Sequence, residues 1–246
     1  NFNSSSELFY VIKGGGYTTF SDIKIPWKKG DFVVIPAEDE VTHYGQDEES
    51  SLYLIHDQPL LDYLGAKASI KKFKPVLFTN ERSLKQLEKA RNEGNAVNRS
   101  RISVILVNKA MDQTLTVSHT MWAMLGFLPK DANQLPHRHQ SVALDLILDC
   151  KPGCYTLVGE KIDQEGNIIN PTREEWQPNS VFITPPGLWH AHFNESGDDV
   201  NFIPIQNLKK KNNNIHKFDI IIGSNDTSLY SYFKESKKIL WLHNKL

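Results

Sequence analysis

Leu135-Pro-His137-Arg-His139-Gln and Pro185-Pro-Gly187-Leu-Trp-His190-Ala-His192-Phe-Asn194 are the two stretches on which the fold turns. His137 and His139 stand at i and i+2, which on a strand puts both imidazoles on one face, about 7 Å apart at the Cα atoms. That is close enough to share a metal, and His190 is the candidate for a third ligand. Three neutral imidazoles leave open positions for water, O2 or a small substrate, as a catalytic site requires. His192 lies two residues beyond His190 on the same face, and by spacing alone it reads equally as a ligand or as a neighbour of the site. Strand alternation from His139 also turns residue 145 inward, so Asp145 faces the same cavity; Asp145 and His192 are the catalytic candidates. Glu7 and Asp145 read equally well as acid/base groups or as charges at a barrel mouth.

Around these stretches run short β-like segments punctuated by Gly, Pro and Asn, which point to an all-β sandwich or barrel. They are Leu8–Lys13, Phe32–Ile35, Ser51–Ile55, Ser103–Val107, Leu115–Ser118, Leu144–Leu148, Cys154–Val158, Val181–Thr184 and Asn201–Ile205. Asn80–Glu93 differs: Leu84 and Leu87 stand at helical spacing, with Asn80 as the capping residue and Gly94 behind, so it predicts a helix. The chain also repeats itself. Glu7–Thr18 overlays Ala143–Thr156 with one adjustment in the turn, and Gly30–Pro36 matches Asn179–Pro185. Each match is followed by a histidine, His43 and His190. The expected organisation is therefore two β domains, 1–78 and 99–208, joined by a helix within 79–98 and followed by a packing segment, 209–246. The aromatic and aliphatic residues of Phe218–Leu246 are too many for a free tail, whereas Lys209–Asn214 reads as a solvated loop.

The motifs His137-x-His139 and Pro185-x-Gly187-x-x-His190-x-x-x-Asn194 resemble the two motifs of the cupin superfamily, the second at every fixed position. The glutamate that usually follows the first pair is replaced by Ala143 or Leu144. Among cupins without it, the chain is most similar to the gentisate 1,2-dioxygenase-like bicupins. In that group a His-Arg-His followed by a Ser-Ala-Leu stretch recurs, and Ile55–Asp62 resembles its post-barrel connection. The resemblance implies two tandem cupin barrels with a metal on His137, His139 and His190, Fe(II) first, although Mn, Ni or Zn suit the same donors. It also implies oxygen activation on a small organic substrate.

Two departures stand out. In the first half, Asn1 and Asn3 occupy the places of the paired histidines, with Glu7 at the usual glutamate, so the first barrel is expected to be metal-free. In gentisate-type enzymes an arginine holds the substrate carboxylate where this chain has Asp145, and a carboxylate cannot replace that fork. A plain aromatic carboxylate is thus a poor substrate candidate. A non-catalytic small-molecule-binding cupin and a non-oxidative isomerase or decarboxylase stay open as alternatives.

Composition bounds the rest. The 246 residues are 39% hydrophobic and 23% charged with a net charge of −1, which excludes wholesale disorder and bulk attraction to nucleic acid or anionic membrane. No apolar run approaches the ~18–20 residues of a membrane span. Cys150 and Cys154 are too few for a disulfide framework and are read as packed residues. His56, His119, His216 and His243 are read as structural. Trp122 and Trp189 read as core or pocket lining, and Gly14–Gly16 as a turn. The chain opens Asn-Phe-Asn-Ser with neither an initiator Met nor a signal-type segment and reads as a trimmed chain whose targeting information is not in view, so cytoplasmic is the expectation by default only. A barrel short of strands exposes unpaired backbone, from which a homodimer is expected.

Overall fold

The computed structural model describes residues 2–38, 40–94, 101–207 and 241–242. Asn1, Lys209–Asn214, His216, His243 and all of the carboxy-terminal segment except Trp241–Leu242 lie outside the described residues. The first barrel is built from β1 (Ser6–Lys13), β2 (Gly15–Phe20), β3 (Ile23–Lys28), β4 (Phe32–Pro36), β5 (Thr42–Gly45), β6 (Ser51–His56) and β7 (Val76–Phe78). Its two sheets run β6-β1-β4-β7 and β3-β2-β5. Between β6 and β7 lies a short helix, α1 (Gln58–Tyr63), inside the stretch expected to be a connection. Helix α2 (Asn80–Arg91) leads to the second half.

The second barrel comprises β8 (Ile102–Ile105), β9 (Met121–Leu128), β10 (Asn133–His137), β11 (Ala143–Ile147), β12 (Cys154–Gly159), β13 (Thr172–Glu175), β14 (Val181–Thr184), β15 (Trp189–Asn194) and β16 (Val200–Asn207). A two-residue strand, β17 (Trp241–Leu242), pairs with β14. The sheets run β17-β14-β11-β16-β9-β8 and β10-β15-β12-β13. Pairings β1–β4, β1–β6, β2–β3 and β2–β5 recur as β11–β14, β11–β16, β12–β13 and β12–β15. The chain is thus all-β, one strand plan used twice, as the internal repeat implied.

The register corrects one part of that repeat. Thr18 faces His43 across β2 and β5, as Thr156 faces His192 across β12 and β15. The counterpart of His43 is therefore His192, not His190. One offset of 149 residues separates Trp27 from Trp176, Pro36 from Pro185 and His43 from His192. By that offset Val41 is the counterpart of His190.

Strands β4 and β11 are buried along their whole length, because both of their faces are covered. Phe32 and Val34 join Leu8, Tyr10, Leu144, Leu146, Ile203 and Ile205 in a core between the two barrels. Val33 and Ile35 turn the other way, with Phe9, Val11, Phe20 and Trp27, into the first barrel. Ile147 turns into the second, with Leu128, Cys154, Trp176, Phe182, Val200 and Phe202. Helix α2 seats Leu87 in the shared core and leaves Leu84 on the surface. Its N-cap is Thr79, whose side chain accepts from Arg82 N–H, and not the expected Asn80. Leu115–Ser118 is also not a strand. It closes a turn after the 3₁₀ segment Lys109–Met111, with Leu115 at φ +56°. No helix among the described residues is long and apolar enough to cross a membrane.

Candidate metal centre

Two antiparallel partners, β10 and β15, bring the histidines together inside the second barrel. Gln134 faces His192 and His137 faces His190, with a register shift between the two pairs. The extra residue in β10 forms a bulge, and Pro136 sits within it, where a missing N–H does little harm. The bulge lets Gln134 and His137 both face inward despite their odd spacing. Beyond β10, Gly187 at φ +77° donates its N–H to His139 C=O at 2.8 Å, so the two motifs are tied by backbone. Asn194 is a structural hub. Its amide donates to Leu128, Pro129 and Asp198 carbonyls, and its Oδ1 accepts from Ser196 and from the Cys154 thiol.

His137, His190 and His192 bring their ligand atoms within 4.8 Å of one another. The ring of His139 lies 4.8 Å from that of His190, but its Nε2 faces the Gln206 amide at 3.3 Å. Proximity alone therefore groups His192, rather than His139, with His137 and His190. Hydrogen bonds sort the four differently. Nδ1 of His137, His139 and His190 meets the carbonyls of Leu135 (3.0 Å), Ser141 (2.7 Å) and Leu188 (3.2 Å). A carbonyl only accepts, so each Nδ1 carries the proton and each Nε2 keeps a lone pair. His192 is the exception. Its Nδ1 meets Thr156 Oγ1 at 2.9 Å, and that oxygen already accepts from Trp176 Nε1–H at 2.8 Å. Among the described residues, the only acceptor this hydroxyl meets is His192 Nδ1. The proton of His192 then sits on Nε2, which makes it a donor toward the cavity.

The first barrel repeats this relay. Trp27 Nε1–H donates to Thr18 Oγ1 at 2.9 Å, and Thr18 Oγ1 lies 2.8 Å from His43 Nδ1.

Burial governs the electrostatics. It pulls His190 down to about 3, with the neighbouring imidazoles of His137 and His139 and the Arg101 guanidinium acting in the same direction. His192 falls well below its ordinary value, again mainly through burial, since it sits among Trp176, Phe182 and Phe202. His137 is lowered too. All three are neutral at pH 7. Asp145 lies opposite Phe182 and Pro204; because Phe182 lines the barrel interior, the carboxyl faces inward. Burial lifts it to about 7, against the opposing pull of Arg101.

The other candidates fall elsewhere. Asn3 does not face the first barrel; its side chain binds Asp62, Ala66 and Ala68. Glu7 is buried, raised by desolvation, and accepts from Ser4. His56 stacks on Phe2. Trp122 lies opposite Gln206, and Trp189 carries Arg138 over its ring. Both cysteines are free thiols. Sequence reading did not single out Gln134, Gln206, Arg101 or the Trp176–Thr156 relay. Only the folded arrangement brings them to the histidines, and no short motif encodes it.

Two barrels built on one repeated plan, with a histidine cluster inside the second, define a tandem double-stranded β-barrel protein. By sequence the chain matches no family model and no curated protein. By structure it is similar to a mutant of salicylate 1,2-dioxygenase from Pseudoaminobacter salicylatoxidans, with a TM-score of 0.63 and 10% identity over 82% of this chain and 65% of that one. It is also similar to oxalate decarboxylase of Bacillus subtilis, with a TM-score of 0.53 and 15% identity over 83% and 63%. That decarboxylase has Mn(II) centres. The chain spans less than two thirds of the length of these solved structures. It shares the two-barrel, bicupin fold of these structures, the fold that its two motifs implied.

Proposed function

We propose that the second barrel binds one divalent metal through Nε2 of His137, His139 and His190, and serves a dioxygenase-type reaction on a small organic molecule. The observation that carries this reading is the hydrogen-bond pattern, with three imidazoles locked by carbonyls into the tautomer that puts the lone pair on Nε2. Carbonyl partners of this kind orient and strengthen metal-ligating imidazoles. The donor set fits a metal: three buried or half-buried imidazoles, with a buried carboxamide oxygen beside them that meets no partner among the described residues. Fe(II) is the ion proposed, and bound there it would supply oxygen activation, while Mn, Ni or Zn suit the same donors.

The chain's own residues do the rest. His192 holds a proton on Nε2 and donates it as a hydrogen bond to a substrate oxygen, fixed in place by Thr156 and Trp176. Asp145, at about 7, is poised to hold or release a proton near neutral pH. As an anion it repels a carboxylate, so the substrate is a neutral or hydroxyl-bearing molecule. The aromatic floor of Trp176, Phe182 and Phe202 excludes water from the inner end. We further propose a second copy of the chain as partner, and the cytoplasm as compartment, since both cysteines are free thiols.

The test uses protein purified without a metal-affinity step. Elemental analysis should find one metal per chain, and iron-loaded protein should consume O2 in the presence of a panel of hydroxylated aromatic compounds. Turnover without O2 would replace this reading with a non-oxidative one such as decarboxylation. Ligand-induced stabilisation without product would make the protein a binding module, and absence of bound metal would end the proposal.

A further inference from the structure

The unpartnered oxygen beside the histidines is Gln134 Oε1, which is buried and meets no hydrogen-bond donor among the described residues. The other end of the same carboxamide, Nε2, lies 3.3 Å from His137 Nε2. Because His137 Nδ1 gives its proton to Leu135 C=O, His137 Nε2 is the acceptor and the Gln134 amide must be the donor. That settles which end of the carboxamide faces the imidazole: nitrogen inward, oxygen stranded.

A metal on His137 Nε2 takes the lone pair that this amide uses, and Gln134 would then have neither its donor nor its acceptor bond. Half a turn about the terminal bond of the side chain exchanges oxygen for nitrogen and aims Oε1 where Nε2 was. The β10 bulge holds Gln134 inward opposite His192, on the same lining as His137 and His190. No carboxylate belongs to this cluster among the described residues, so an oxygen donor must come from a neutral side chain or from outside the protein. Gln206 offers the instructive contrast. Its amide faces His139 Nε2 at the same 3.3 Å, but its Oε1 is already taken by Ser141 Oγ at 3.2 Å.

We propose that Gln134 supplies its carboxamide oxygen as a fourth protein ligand to the metal held by His137, His139 and His190. The inference rests on the metal-site reading above and adds a residue that the histidine motifs do not contain. A neutral oxygen donor leaves the full charge of the ion in place, where a carboxylate would cancel part of it, and this favours capture of an ionisable substrate hydroxyl.

The test is titration of Mn(II) alone into metal-stripped full-length protein, with folding of each variant checked by circular dichroism. Gln134→Ala should bind Mn(II) on the order of 10–100-fold more weakly than wild type, the range in which loss of a metal-supporting group falls. Gln134→Glu, which keeps an oxygen at the same reach, should restore binding to at least the wild-type level. Gln206→Ala should bind more tightly than Gln134→Ala. Equal affinities for Gln134→Ala and wild type would overturn the proposal, as would a loss in Gln134→Ala that Gln134→Glu fails to rescue. A wild-type protein that takes up no Mn(II) would overturn the metal-site reading on which it rests, a distinguishable result.

Discussion

Trp176, Thr156 and His192 form a chain of hydrogen bonds that runs in one direction, because an indole N–H can only donate. Thr156→Val keeps the side-chain shape and removes the hydroxyl, leaving a buried N–H and a buried ring nitrogen unpaired. It should cost about 1–3 kcal/mol in urea denaturation while leaving metal stoichiometry at the wild-type value. Asp145 gives a second residue-scale prediction, with a definite sign. Its folded-state pKa of about 7 lies above its ordinary 3.8, so its contribution to stability is complete below pH 4 and is lost as pH rises through 7. Asp145→Asn removes that loss. Compared with wild type, the variant should gain little at pH 4 and roughly 1–4 kcal/mol at pH 8, measured by denaturation across that range. A difference that shrinks with rising pH would contradict the burial of this carboxyl.

At the scale of elements, Asn194 ties the β9–β10 turn to the end of β15 through the Leu128 and Pro129 carbonyls, and closes the β15–β16 turn through the Asp198 carbonyl. Asn194→Ala takes away the amide that these carbonyls share and should cost on the order of 2–4 kcal/mol in urea denaturation. How legible each element was follows from what encodes it. The repeat stood out because β1, β4, β11 and β14 are apolar runs with turn residues at fixed offsets. β10 was legible only as a motif, since Pro136 argues against a strand and the bulge breaks alternation. Sequence pairs His43 with His190 rather than His192 because its half carries one histidine where the other carries two at i and i+2, and only the Thr18 and Thr156 partners reveal which is equivalent. His137, His139 and His190 could be read from spacing. The division of labour between His139 and His192 could not, because it depends on whether a carbonyl or a hydroxyl lies across the sheet.

The whole molecule is held by a core that belongs to neither barrel alone, in which Leu8, Phe32 and Val34 meet Leu144, Leu146 and Ile203. Leu146→Ala should cost about 2–5 kcal/mol, and the two halves should still unfold in a single urea transition; separate transitions would show that the shared core does not couple them. Among the described residues β5 and β6 are edge strands of the first barrel, whereas their counterparts β15 and β16 are paired by β10 and β9. Such edges favour pairing with another chain, and light scattering at micromolar concentration should give a dimer mass. The claim on which the functional reading depends is that three imidazoles hold one metal while a fourth does not. Elemental analysis of metal-loaded wild type, His139→Ala and His192→Ala, each confirmed to be folded, tests it most directly. The account predicts one metal per chain in wild type and His192→Ala and none retained in His139→Ala; loss in His192→Ala with retention in His139→Ala would contradict it.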